Sequence, residues 1–335
     1  MAIDGPAPRG PAPARDRGWL VPAAGALLLA ALPAVLTPYT HDLVLKVAIF
    51  AIFALSLELL VGMTGLVSLG HAAFLGIGAY VAVLGTGDAG AASMAWLLPA
   101  SVAAAAAYAL FVGALSLRTK GVYFIMVTLA FAQMAFFVFH DTKVGGGSDG
   151  IFLYYKPVLA VAGRTLVDLD DRLALYYVVV AALVATYALL ALVGRSRFGH
   201  ALAGIRINEQ RMRAAGFATY GYKLAAFVLA GALAGLAGFL LAVKDGAVNP
   251  ELLSWHESGA VLLMVILGGI GSLRGAVIGA VAFTLLKEFF QSEALLGPVA
   301  THWQLTLGLT IIAFVAWLPR GLMGLGALAR RGRHG

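Results

Sequence analysis

The sequence predicts an all-α, polytopic membrane protein with about ten transmembrane helices, glycine-rich breaks between some of them, and both termini in the cytoplasm. Three observations carry that expectation. Of 335 residues, 61% are hydrophobic and only 12% charged, with a mean hydropathy of +0.92, whereas a soluble domain carries roughly 25% charged residues. Apolar runs of near-spanning length recur along the chain. Lys and Arg fall unevenly among the connections between those runs.

A span needs roughly 20 apolar residues to cross the hydrocarbon layer. Residues 1–18, "MAIDGPAPRGPAPARDRG", are rich in Pro, Ala and Arg and read as a disordered tail that cannot bury a core. The first apolar run, from Trp19 to about residue 37, lacks a convincing cleavage site and reads as a retained anchor. Further segments follow at approximately 43–62, 65–86, 96–117, 121–139, 173–194, 223–243, 256–271, 274–291 and 303–319, and the basic stretch 321–335 closes the chain. The segments at 256–271 and 274–291 are short and meet at "GGIGSLRG" (268–275), so a single re-entrant break is an alternative to two spans.

Lys and Arg accumulate in cytoplasmic connections. With the N-terminal tail inside, the inner side receives Arg9, Arg15, Arg17, Arg118, Lys120, Arg195, Arg197, Arg206, Arg211, Arg213, Lys223, Arg274, Arg320, Arg330, Arg331 and Arg333. The outer side keeps only Lys46, Lys143, Lys156, Arg164, Arg172, Lys244 and Lys287. The formal charge of +7 is therefore read as topological rather than as a nucleic-acid footprint. No cysteine is present, which excludes a disulfide framework, a thiolate metal site and a cysteine nucleophile. His41, His140, His256 and His302 fall on separate segments without ligand spacing, so neither a metal nor a catalytic constellation is expected.

Two connections exceed a simple turn, the outer 140–171 and the inner 195–222. Within the inner one, Ala201, Ile205, Met212 and Ala215 form an apolar stripe at helical spacing while Arg206, Glu209, Arg211 and Arg213 point elsewhere, so a short amphipathic helix ending at Gly216 is expected. It could lie on anionic headgroups or dock on a cytoplasmic motor. The chain has no phosphate-binding GxxxxGK[ST] and no Gly-Lys pair, so any ATP would be hydrolysed by a different subunit. It is not expected to be an enzyme or to hold a cofactor.

"GMTGLVSLGHAAFLGIGAY" (62–80) resembles the signature of the inner-membrane permease subunits of branched-chain amino acid ABC transporters, the LivH/LivM group. "ALAGIRINEQRMRAAGFATYGYKLAAFVLAGALAGLAGFLLA" (201–242) is similar to the cytoplasmic coupling loop and following helix of that family. "GGGSDGI" (145–151) resembles its external glycine loop, and "VILGGIGSLRGAVIGA" (265–280) its late glycine-rich break. The resemblance covers about 40–320. It implies a bacterial inner-membrane importer subunit with cytoplasmic ATP-binding subunits, a second permease and a periplasmic substrate-binding protein as partners. It also implies that Arg206, Asn208, Glu209 and Gly216 belong to the segment contacting the ATPase. Met63 stands where the family often has tyrosine, and Glu58 where asparagine is common, so urea or an amide is an alternative substrate to a branched-chain amino acid.

The remaining candidates lie in or near the membrane. Dense glycines at 65–70 suggest unwound chain, each glycine costing on the order of 1 kcal/mol in a helix. Ser68 and His71 would then open the third helix, either as a gate or carboxylate site or as packing groups. Glu58 and Gln133 are the other polar residues able to line a translocation path. Gly231 with Gly235, Ala234 with Gly238, and Gly271 with Gly275 and Gly279 repeat every four residues, as close helix contacts require. An ion-coupled secondary transporter is the rival from another class; it needs carboxylates mid-span, and Glu58 and Glu288 sit near span ends.

Overall fold

A computed structural model describes residues 20–324 apart from 35–36, 88–89, 91, 162–163, 293–295 and 319–320. The tail at 1–18 and most of the one at 321–335 lie outside the described residues. Twelve helices are labelled here: α1 (Leu20–Ala31), α2 (Pro38–Glu58), α3 (His71–Thr86), α4 (Met94–Ser116), α5 (Val122–Asp141), α6 (Arg172–Arg195), α7 (Arg197–Ile207), α8 (Glu209–Ala214), α9 (Thr219–Asp245), α10 (Trp255–Gly268), α11 (Leu273–Gln291) and α12 (Trp303–Trp317).

Local chemistry sets several boundaries. Thr37 caps α2 by accepting from the Thr40 N–H, with Pro38 in the first turn, where its missing N–H costs nothing. Ser93 caps α4 and Asp171 caps α6 in the same way, and Arg195 in the last turn of α6 complements the negative end of the helix dipole.

The ten expected segments each coincide with a helix, but not each with a crossing. Six helices among the described residues are long and apolar enough to span a bilayer, or seven if α10 and α11, bent by 118° at their junction, count as one span. The shortfall has physical causes. Residues 65–70 are unwound, so α3 has 16 residues, and α10 has 14; α1 is described only from Leu20 to Ala31. The protein is nonetheless a multi-pass, predominantly helical membrane protein.

Helices α2 and α9 form the core, 78% of each apolar window being buried, against 22% for α5 and 28% for α6. The poorly buried helices turn Phe111, Met126, Phe137, Leu192 and Ile312 outward, an apolar belt suited to lipid tails. Small residues allow the core its close contacts. A Cβ on Gly231 or Gly235 would meet Ala109 or Ala105 of α4, one on Gly238 would enter the Leu75 carbonyl of α3, and ones on Gly275 and Gly279 would enter the backbone of α10. Those repeats are helix contacts as expected. Gly271 is not: it sits at φ +91° in the bend.

The outer connection departs from a purely helical class. It contains β1 (Ile151–Phe152), β2 (Val158–Val161) and β3 (Arg164–Asp168). β2 pairs antiparallel with β3, and β1 pairs with β4 (Ala247–Val248) after α9. Since α6 runs about 36 Å from the ribbon side to α7, the bundle has a ribbon end and an α7–α8 end.

Candidate functional site

The functional candidates gather at the α7–α8 end, around two breaks in the helical path. At the first, α2 continues into a π-helical turn, Leu59–Thr64, which stops at Gly65 with φ +74°. The chain then runs unwound to Gly70. Ser68 is buried and accepts from the Gly70 N–H at 3.2 Å, while Gly70 itself is the cap residue of α3. A side chain at Gly70 would enter the Thr128 carbonyl of α5.

His71 opens α3 fully buried. Its Nε2 lies 2.8 Å from the Ser56 hydroxyl of α2, its ring stacks on Phe53 with centroids 5.5 Å apart, and Phe74 meets it edge-on. The next backbone N–H, of Ala72, donates to the Ser258 hydroxyl of α10 at 2.9 Å. Ser68 thus serves the turn before α3, while His71 and Ala72 tie the start of α3 to α2 and α10.

At the second break, between α10 and α11, the chain passes through Gly269 and Gly271, both at positive φ. Ser272 caps α11 by accepting from the Gly275 N–H. Glu58, 2% exposed, accepts the Gly271 N–H through Oε1 at 2.7 Å. Its carboxyl thus meets the N-terminal end of α11, where the helix dipole favours an acid. Beside it, Nη1 of Arg206 donates to the Gly62 carbonyl in the π turn. Glu58 and Arg206, 148 positions apart in sequence, therefore bracket the same glycines.

The inner connection is two short helices rather than one. Asn208 adopts φ −156°, ends α7 and caps α8 by accepting from the Arg211 N–H at 2.9 Å. Ala201 and Ile205 are buried beneath α7, and Met212 of α8 packs over Gly204, while Ala215 is exposed. Gly216, at φ +86°, terminates α8 as expected: its N–H donates to Arg213 and that of Phe217 to Met212, the Schellman pattern. Glu209 faces α9, not solvent. Its Oε1 accepts from Arg213 at 2.6 Å, Lys223 at 2.9 Å and the Thr219 hydroxyl at 3.1 Å. Burial opposes its ionisation, but Lys223, Arg213 and Thr219 together hold the carboxyl below its ordinary range.

Gln133 is half-buried on α5 and does not join this cluster. The residues missed by sequence reasoning are Ser56, Ser258 and Ile207. The first two are short serines inside apolar runs, indistinguishable there from back-bonded helix serines. Ile207 is 84% exposed and with Met63, Gly194, Ala203 and Arg206 lines a cleft of about 480 Å³ between α2, α6 and α7; only its falling outside the Ala201–Ile205 stripe hinted at this. Among the described residues, no group of three or more His, Asp or Glu is placed to hold a metal ion.

The molecule is thus a glycine-packed helical bundle with two breaks in its helical path and an ion-locked helical pair packed at the same end. Residues 39–315 match the family described as branched-chain amino acid transport system / permease component, and the chain belongs to that family. It is 31% identical over 316 residues to the high-affinity branched-chain amino acid transport system permease protein LivM of Escherichia coli (strain K12), covering 89% of this chain and 73% of that protein. It is 31% identical over 302 residues to LivM of Salmonella typhimurium, covering 84% and 69%. A more limited likeness, 30% over 129 residues, 37% of this chain and 32% of the other, is to the xylose transport system permease protein XylH of Escherichia coli (strain K12). No solved structure matches.

Proposed function

We infer that this chain is the membrane-spanning permease subunit of an ABC importer in the bacterial inner membrane, moving branched-chain or related small amino acids delivered by a periplasmic binding protein. ATP is hydrolysed by separate cytoplasmic subunits, and a second permease, identical or homologous, completes the pathway. The reading places both termini and α7–α8 in the cytoplasm, the side favoured by the bias of Lys and Arg, and the ribbons on the periplasmic side, where 140–171 offers a contact for the binding protein.

The observation that carries the reading is the α7–α8 pair. It is a rigid element, closed by the Asn208 cap, the Gly216 stop and the Glu209 cluster, and it leaves Ile207 and Phe217 exposed for a partner. A chain without a phosphate-binding loop has use for such an element if its energy arrives from another protein. Alternating access then follows by rocking of packed helices.

The substrate assignment leans on the LivM relatives. Glu58, the residue that raises urea as an alternative, accepts the Gly271 N–H. An ion-coupled carrier has less support: Oε1 of Glu58 takes the Gly271 N–H, and Glu288 is paired with Tyr39 and Lys46. The test is uptake in proteoliposomes holding this chain, its genomic neighbours for the ATP-binding and second permease subunits, and the binding protein. ATP-dependent accumulation of labelled leucine and not urea is expected. Accumulation of urea, or of leucine without any ATP-binding subunit, would overturn the assignment.

A further inference from the structure

We propose that Arg206 and Glu58 form a pin that transmits displacement of α7 to the α10–α11 break, acting as positioning residues for coupled transport rather than as contacts to the ATPase or to substrate. The proposal rests on α7–α8 being the docking segment.

Arg206 lies in the last turn of α7, where a docking contact would point outward. Although the residue is exposed, its guanidinium reaches back to the Gly62 carbonyl. Gly62 belongs to the final turn of the helical run that ends at Thr64, where carbonyls run out of helix N–H partners and the dipole is negative. A cation is suited to that end, and it comes from α7.

One turn earlier, Glu58 takes the Gly271 N–H, at the positive end of α11. Glu58 of α2 thus engages the positive end of α11, while Arg206 of α7 engages the negative end of the helical run that contains Glu58. The glycines around them are the socket. A Cβ on Gly62 would run into the Glu58 carboxyl, one on Gly65 would lie 3.3 Å from Cγ of Arg206, and one on Gly271 would lie 3.9 Å from Nη1 of Arg206. Gly65 and Gly271 also hold positive φ.

The far end of α11 is tied to α2 as well. Glu288 accepts from the Tyr39 hydroxyl at 2.8 Å and lies 3.8 Å from Nζ of Lys46. With α11 held by α2 at both ends, a push on the π turn moves the two together, and Arg206 is where α7 supplies that push. Coupling between distant sites can be carried by such chains of hydrogen-bonded groups and packed helices.

The test uses the assembled transporter. With Arg206→Ala, the ATP-binding subunit should still copurify, while leucine moved per ATP falls about tenfold, within the usual range for coupling between sites. Arg206→Lys, which keeps a cationic donor, should recover most of the loss. Glu58→Ala should resemble Arg206→Ala, and the double variant should be no worse than either single one, as two members of one connection require. Where Glu58→Ala does not accumulate, Glu58→Gln, which keeps an acceptor for the Gly271 N–H, should hold leucine moved per ATP close to the wild-type value, and a tenfold fall in it would overturn the proposal.

Loss of the ATP-binding subunit from the Arg206→Ala complex, an unchanged ratio, or additive losses would each overturn the proposal. A substrate-independent readout comes from the cysteine-free sequence. Spin labels at His200→Cys on α7 and Ile278→Cys on α11 should keep their separation when ATP is added to the wild-type background and shift when Arg206→Ala is introduced. A separation that changes with ATP in the wild type would defeat the pin. Failure of the wild type to move leucine would count only against the substrate assigned above.

Discussion

The two breaks in this membrane bundle share a vocabulary and differ in what surrounds them. At the start of α3, Ser68, Gly70 and His71 are buried, with Ser56, Ser258, Phe53 and the Thr128 backbone packed around the helix end, although Gly65 at the near end of the same break is exposed beside Arg206. Before α11, the bend is held from one side by Glu58 and lies beside Arg206 of an exposed helix. Similar strings, "SLGHAAFLG" and "SLRGAVIG", thus serve a closed joint and an accessible one. A glycine-rich break in a membrane helix is a position where packing is decided by the neighbours, and its role follows from whether those neighbours can move.

That contrast can be broken by substitution. The largest effect is expected for Gly70→Ala, whose Cβ is driven into the Thr128 carbonyl; a backbone clash of this kind should cost about 3 kcal/mol or more, seen as loss of monodisperse protein on detergent extraction or a sharply lowered Tm. Next, Ser56→Ala strips His71 Nε2 of its partner and should cost about 2 kcal/mol by thermal unfolding, while leaving leucine moved per ATP in the surviving protein unchanged. A change in that ratio would show that the first break also participates in coupling.

At the second break the balance reverses. Gly271→Ala meets no backbone, its nearest neighbour being the tip of Arg206 at 3.9 Å, so only the positive φ opposes it, at about 1–2 kcal/mol. Its effect on uptake should exceed its effect on Tm. The smallest effect belongs to Gln133→Ala, half-buried on a helix largely open to lipid, which should stay within about 0.5 kcal/mol of wild type and transport normally; loss of transport there would place a substrate path along α5.

Much of this was legible in the sequence, for identifiable reasons. Continuous apolar runs mark helices regardless of tertiary context, and Gly231, Gly235 and Gly238 mark close contacts because nothing larger fits between helix backbones. Gly216 marks a helix end because only glycine enters that conformation freely. What was not legible depended on partners far away in sequence. Gly271 continues the four-residue spacing of Gly275 and Gly279, and nothing local distinguishes a packing glycine from one that bends the chain. Glu58 resembles a path residue until the Gly271 N–H, 213 positions away, is placed on it. The two-residue pairing of Ile151–Phe152 with Ala247–Val248 has no local pattern at all.

That last pairing has a mechanical meaning. It clasps the α5–α6 connection to the stretch that leads from α9 through Pro250–Leu253 into α10, and Leu253 sits against Gly76 while Ser258 holds the start of α3. A load on the ribbon face would accordingly reach the start of α3 through the ten positions of chain between Val248 and Ser258.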